Sequence, residues 1–169
     1  MTIKVGINGF GRMGRLTLRA ALEWPEVEFI KVNDVAGDAK THAHLLEFDS
    51  VHGRLAHSVT ANENSFSVGK HTIAVTNNKT IGDTDWSDCD VVIEASGKMK
   101  TTELLNQYLA QGVKRVVVTA PVKEDGILNV VMGVNDNLYN PDEHKIVTAA
   151  SCTTNCLAPI AKAINDTVG

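Results

Sequence analysis

Several things are scarce in this chain. Aromatic residues make up 5% of its 169 positions, and it holds 4 prolines and 3 cysteines. No apolar run approaches the length of a membrane span. Each shortage excludes something. Cys89, Cys152 and Cys156 are an odd number without the paired spacing of a zinc site or a secreted disulfide framework, so reduced thiols and no metal are expected. Basic residues do not exceed acidic ones: 16 Lys and Arg against 20 Asp and Glu leave a formal charge of −4, and the only adjacent basic pair is Lys114-Arg115. That distribution gives no electrostatic footprint for nucleic acid or an anionic membrane. Met1-Thr2-Ile3-Lys4 moves straight into a strand pattern without the apolar block of a signal peptide, so a cytoplasmic location is expected. There is no internal repeat, low-complexity run or linker.

What is present is enough apolar material, 43% of residues, for one ordinary domain with a real core. Apolar runs alternate with amphipathic stretches, which is the pattern of an α/β fold with a mostly parallel sheet. Strands are expected over 3–8, 28–33, 91–93, 116–118, 129–132 and 145–148. Helices are expected over 12–23, ended by Trp24-Pro25, then 41–48, 101–111 and 152–168. The first should bury Met13, Leu16 and Ala20; the third, Leu104, Leu105, Tyr108 and Leu109, with Gly112 just past its end. Residues 49–54 read as a polar loop, and Asn140-Pro141-Asp142 as a turn. Between His57 and Asn77 short alternating segments, with Gly69-Lys70 as a turn, predict a small antiparallel insertion. Pro159 falls inside the last helix and should bend it or shift its start.

Two motifs carry chemistry. Gly9-Phe10-Gly11-Arg12-Met13-Gly14 follows a strand, opens a helix, and is followed twenty residues after Gly14 by Asp34 at the end of the next strand. Gly9 permits the tight turn, Gly11 lets the backbone approach a pyrophosphate, and Gly14 allows close packing of helix on strand; the helix N-terminus, with Arg12 and Met13, faces the phosphates. Asp34 accepts from a ribose diol and repels a 2′-phosphate, which favours NAD over NADP. Lys79 is placed to reach the adenine side, although a lysine in Asn77-Asn78-Lys79-Thr80 reads more readily as a plain solvated loop residue. Ser96-Gly97 and Thr119 stand at carboxyl ends of later strands, where ligands of open α/β sheets lie. At the other end, Ser151-Cys152-Thr153-Thr154-Asn155-Cys156 places a thiol where a strand hands over to a helix. A first-turn cysteine near unpaired N–H groups is favoured as thiolate, and those donors suit the oxyanion formed when sulfur attacks an aldehyde or thioester carbonyl. On spacing alone a structural thiol remains the more common reading of Cys152, and Cys156 reads as a small buried filler.

Five segments in order, Val5-Gly6-Ile7-Asn8-Gly9-Phe10-Gly11-Arg12-Met13-Gly14-Arg15, Asn33-Asp34, Phe48-Asp49-Ser50-Val51-His52-Gly53-Arg54, Val131-Met132-Gly133-Val134-Asn135 and Ala150-Ser151-Cys152-Thr153-Thr154-Asn155-Cys156-Leu157-Ala158-Pro159, resemble phosphorylating glyceraldehyde-3-phosphate dehydrogenase over essentially the whole chain. The resemblance implies a Rossmann-type doubly wound sheet and two parts: residues 1–150, an NAD-binding domain, and residues 151–169, a catalytic cysteine helix that starts a second domain. It implies that Cys152 attacks the aldehyde of glyceraldehyde 3-phosphate, that hydride passes to NAD, and that inorganic phosphate releases the acyl group. Ser151 and Thr153 match positions contacting substrate and attacking phosphate; Arg12, Met13 and Asp34 match cofactor contacts; Thr119 matches a hydroxyl beside the nicotinamide. The family's thiol-activating histidine and phosphate-binding arginine lie beyond Gly169, and none of the six histidines here matches that histidine, so the isolated chain is expected to be inactive. The resemblance also implies a homotetramer for the full-length protein.

One stretch departs from the family pattern: Glu94-Ala95-Ser96-Gly97-Lys98-Met99-Lys100 has lysines where an aliphatic-phenylalanine pair is usual. With Thr119-Ala120-Pro121-Val122-Lys123-Glu124 it is similar to the arsenic-resistance branch, in which arsenate replaces phosphate. Erythrose-4-phosphate dehydrogenase, a nucleotide-binding module without catalysis and a redox-responsive thiol protein are the further alternatives. Leu157, Ile160, Ala161, Ile164 and Val168 form an apolar stripe on the last helix that should stand uncovered.

Overall fold

The computed structural model describes residues 2–169. Strand β1 (Ile3–Asn8) enters the glycine turn, helix α1 (Arg12–Ala21) returns along the sheet, and β2 (Val27–Asn33) pairs parallel to β1. Helix α2 (Ala39–Glu47) is capped by Asp38, whose carboxylate accepts from Thr41 N at 2.8 Å. Strands β5 (Val59–Ala61), β6 (Ser65–Val68) and β7 (His71–Thr76) form the antiparallel insertion. Then come β8 (Val91–Glu94), α3 (Thr102–Ala110), β9 (Arg115–Val118), β10 (Leu128–Asn129), β11 (Ile146–Thr148) and α4 (Cys152–Val168).

The nine-stranded sheet runs β10-β11-β9-β8-β1-β2-β7-β6-β5. Its six central strands, β7-β2-β1-β8-β9-β11, are all parallel and follow the doubly wound order in which the third, second and first strands precede the fourth, fifth and sixth. The sequence pattern assigned β7 wholly to the insertion. It does two jobs: Ala74, Val75 and Thr76 pair parallel with Lys31, Val32 and Asn33, while its other edge carries the antiparallel β6.

Side chains alternate between two cores, one on each face. Val5, Ile7, Phe29 and Phe66 pack with Leu18 of α1 and Leu46 of α2; Val92, Val116 and Trp86 pack with Leu105 and Tyr108 of α3. Gly6 lies between β1 and the second core, where an added Cβ would come within 2.8 Å of both Cys89 Sγ and the Trp86 ring.

Several expectations are corrected. Helix α1 ends at Ala21, two residues early, because Trp24 precedes a proline and is disfavoured in helical conformation. Its buried face is Gly14, Leu18, Ala21 and Leu22; Met13 and Ala20 are exposed and Leu16 half-buried. The glycine explains the rotation, since only Gly14 can lie against the Gly9 carbonyl and Ile7. In α3, Leu105 and Tyr108 are fully buried but Leu104 and Leu109 only partly. Residues 49–54 are not a plain loop: β3 (Phe48–Asp49) and β4 (Gly53–Arg54) form a tiny hairpin, with Gly53 at φ +69° and Asp49 Oδ1 accepting from Val51 N and His52 N. Strand β10 stops at Asn129, since Asn135 Oδ1 takes the Val131 N–H at 2.7 Å. Pro159 leaves the start of α4 at Cys152.

Candidate active site

Every residue singled out for chemistry lies along one edge of the sheet, where the parallel strands end. In spatial order β2 delivers Asp34, β1 delivers the glycine turn, β8 delivers Ser96 and Gly97, β9 delivers Thr119, and β11 delivers Ser151, Cys152 and Thr153. The four strand spacings between β2 and β11 amount to roughly 19 Å. The strand order reverses between β1 and β8, and a crevice of about 330 Å³ opens there, lined by Gly9, Gly11, Asp34, Lys79 and Ser96 among others.

The glycines of the turn have three separate reasons. Gly9 has φ +90° and sits against the Ser96 backbone, so that any Cβ would overlap it. Gly14 sits under the Gly9 carbonyl oxygen. At Gly11 nothing lies within 4 Å of a Cβ position: the backbone faces open space. Helix N-termini elsewhere are satisfied by side chains. Asp38 serves α2, Thr101 serves α3 and Ser151 serves α4, whereas no side chain accepts at the start of α1. The first N–H groups of α1 and the positive end of its dipole are thus left for an external anion.

Asp34 closes the other end of the crevice. Its Oδ2 accepts from Phe10 N at 2.6 Å and its Oδ1 from Ala36 N at 3.0 Å, which orients the carboxylate while leaving one lone pair on each oxygen for a diol. An acceptor-only group at this position fits an adenosine ribose without a 2′-phosphate, and the glycine backbone fits a pyrophosphate; the residues present therefore fit NAD.

Other predicted residues lie outside the crevice lining. Phe10 is core, 1% exposed, and packs on Phe66 and edge-on against His42. Arg12 is exposed and paired with Asp49 at 3.1 Å; backbone N–H groups of His52 and Val51 hold that carboxyl down at about 2. Met13 is exposed, and Gly97, at φ +72°, makes the turn after β8. Thr119 donates its N–H to the Glu94 carbonyl at 2.9 Å and borders an apolar groove under the sheet with Val117 and Ile93.

The thiol is presented by a local device. Ala150, at φ +53°, is the one non-glycine residue in the left-handed region among those described, a conformation that costs about 1–2 kcal/mol. It is buried, and its N–H donates to Thr148 Oγ1 at 3.0 Å, which turns the chain from β11 directly into α4. Ser151 Oγ then accepts from Thr154 N at 3.0 Å. Cys152 is left exposed in the first turn of α4. Cys156 is exposed too, a correction to its reading as buried filler, because no residue of α4 is buried. Cys89 is the buried thiol, and burial pushes it up to about 12.

Sequence reasoning missed part of the lining, namely Asn8, Asn33, Val35, Asn78, Ala95 and Met99. The signal for two of them was available: β1 and β2 both end an apolar run on asparagine.

Comparison with known proteins gives a consistent picture. Residues 3–102 match the family model described as glyceraldehyde 3-phosphate dehydrogenase, NAD binding domain. The chain is 50% identical over 171 aligned residues to glyceraldehyde-3-phosphate dehydrogenase 3 of Nostoc sp., covering 100% of this chain and 50% of that protein. It is 44% identical to glyceraldehyde-3-phosphate dehydrogenase of Geobacillus stearothermophilus, covering 100% of this chain and 50% of that protein. With glyceraldehyde-3-phosphate dehydrogenase 1 of Bacillus cereus it shares 46% identity, covering 98% of this chain and 50% of the relative. The chain spans about half the length of the curated relatives it matches.

Proposed function

Since the chain belongs to the glyceraldehyde-3-phosphate dehydrogenase family and carries that family's NAD-binding domain, we propose that the full-length protein oxidises and phosphorylates glyceraldehyde 3-phosphate with Cys152 as nucleophile. The observation that carries this reading is the shared sheet edge, which puts an exposed first-turn cysteine two strands beyond the crevice at β1 and β8. The Cys152 sulfur bonds to the aldehyde carbon to give a thiohemiacetal, with Ser151 and Thr153 beside it. NAD, when bound, supplies the hydride acceptor. Loss of hydride from the former aldehyde carbon and of the proton from its oxygen leaves a thioester on Cys152; a phosphate oxygen attacks that carbonyl and the sulfur departs as thiolate, releasing 1,3-bisphosphoglycerate.

Gly9, Gly11 and Gly14 would hold the pyrophosphate with the first turn of α1, and Asp34 the adenosine ribose. Lys79 and Ser96 would flank the two halves, with Gly97 shaping the turn beside Ser96 and Thr119 beside the nicotinamide. Phe10 supports the turn from the core side, and Arg12 and Met13 lie at the helix start. We assign residues 1–150 to the cofactor domain and 151–169 to the first helix of a second domain. The exposure of Leu157, Ile160, Ile164 and Val168, each more than half open to solvent, supports that division. A homotetramer is the assembly proposed for the full-length protein. The cytoplasm is the compartment proposed, where an exposed thiol stays reduced; among the described residues no helix is long and apolar enough to cross a membrane.

The relatives reported above are all named as glyceraldehyde-3-phosphate dehydrogenases, which favours that activity over the erythrose 4-phosphate and arsenate alternatives. The test is NADH formation by the full-length protein with glyceraldehyde 3-phosphate and phosphate. The rate should vanish in Cys152→Ser, and an unchanged rate in that variant would refute the assignment.

A further inference from the structure

The floor of the crevice is made of buried polar groups. Strands β1, β2 and β8 end on Asn8, Asn33 and Glu94, all under 5% exposed, and the pairing register sets them side by side. Glu94 is 1% exposed and forms no ion pair among the described residues. A buried carboxylate of that kind is costly unless hydrogen bonds replace water. They do: Oε1 accepts from Ser96 N at 2.7 Å and Ser96 Oγ at 2.5 Å, and Oε2 accepts from Asn8 Nδ2 at 2.8 Å and Tyr108 Oη at 2.6 Å. Four donors fill the four acceptor sites of the group.

This arrangement has a direction. With Asn8 Nδ2 committed to Glu94, Asn8 Oδ1 must accept, and it does so from Asn33 Nδ2 at 2.8 Å. Asn33 is held in the same sense from its far side, its Oδ1 accepting from Asn78 N at 2.9 Å and its Nδ2 donating to Asn78 O at 3.0 Å. Glu94 at one end and the Asn78 backbone at the other therefore agree on which way the two buried amides point. The row ends at Ser96 on one side and Asn78 on the other, and both residues line the crevice on its opposite lips.

We propose that Glu94 is a positioning residue for cofactor binding: it anchors the β8 end of a hydrogen-bond row that crosses the ends of β8, β1 and β2, and so ties the Ser96 lip of the crevice to the Asn78 lip. The inference rests on the crevice being the NAD site. In Glu94→Gln the volume is kept, but one acceptor becomes a donor and faces either the Ser96 or the Asn8 donors. Flipping Asn8 to relieve this sets Asn8 Nδ2 against Asn33 Nδ2, so the fault travels along the row.

The experiment is calorimetric titration of this chain and its variants with NAD, folding being checked by circular dichroism. Glu94→Gln is expected to weaken NAD about tenfold or more, the scale of a lost hydrogen bond to a charged group. Asn33→Asp, which turns a donor of the same row into an acceptor, should do likewise and decides the matter alone if Glu94→Gln does not fold. Val116→Ala leaves a cavity in the core beneath without touching the row, and should stay within about twofold of the parent. Parent-like affinity in both row variants, or an equal loss in Val116→Ala, would overturn the proposal while leaving the NAD site standing. No titration signal from the parent would bring down the NAD site and this inference together.

Discussion

Replacing each glycine of the turn by alanine should separate folding from binding, because each site meets different surroundings. In Gly9→Ala the new methyl would overlap the Ser96 backbone, and φ +90° is strained for any L side chain. Left-handed strain of about 1–2 kcal/mol and overpacking of about 1–3 kcal/mol together give a loss of about 2–5 kcal/mol, a large fraction of a typical domain stability of about 5–15 kcal/mol. Gly14→Ala would gain about 1 kcal/mol of helix propensity. It would lose more than that to the Gly9 carbonyl, which is backbone and cannot swing aside. Gly11→Ala meets nothing within 4 Å and occupies the N-cap of α1 with φ −69°. Its cost to folding should stay under about 1 kcal/mol, yet its methyl stands where the pyrophosphate must approach, so NAD affinity should fall at least about tenfold. Urea denaturation and NAD titration on the same three variants give both numbers. A Gly11→Ala protein that binds NAD as the parent does, or a Gly9→Ala protein as stable as the parent, would refute the division of roles.

In the native protein an alkylating reagent should label Cys152 and Cys156 and spare Cys89, whose thiol burial pushes up to about 12; comparable labelling of Cys89, read by peptide mass spectrometry, would contradict its burial. His42 is buried with neither ring nitrogen hydrogen-bonded, and burial lowers its proton affinity below the usual 6.5. Its folded value is the lower one, so the unfolded chain takes up the proton first and stability falls as pH drops below about 6.5. His42→Leu should flatten that part of a melting-temperature profile at little or no cost at pH 8, since no partner is lost. Asp49 is held at about 2 against an ordinary 3.8, so its contribution is present above about 3.8 and disappears as pH falls through about 2; Asp49→Asn should make that acid limb shallower. Ser151→Ala should reduce helicity at the start of α4, measured by amide exchange at Thr154, because it removes the hydroxyl that accepts from Thr154 N.

The doubly wound class, the glycine turn, Asp34 and the strand-to-helix placement of Cys152 were legible because each depends on residues close in sequence and on backbone rules with few exceptions. What escaped depends on distance along the chain. Whether β7 joins β2 is decided by a register between residues 43 positions apart, and no local alternation reveals it. Asn8 reaches Tyr108 across 100 positions, so the polar row under the crevice reads in sequence only as three strands ending on polar residues. The buried face of α1 was misjudged for a related reason: the apolar count favoured Met13 and Leu16, whereas close packing at Gly14 turns the helix the other way.

The parallel strands act as a ruler. Ribose acceptor, phosphate turn, Ser96, Thr119 and nucleophile are each mounted on a different strand end, so their mutual offsets are graduated by hydrogen-bonded strand pitch, about 4.8 Å a step. Lengthening or shortening the outer segments that join one strand to the next would leave those graduations untouched, whereas a slip in the pairing of a single central strand would miscalibrate every group beyond it.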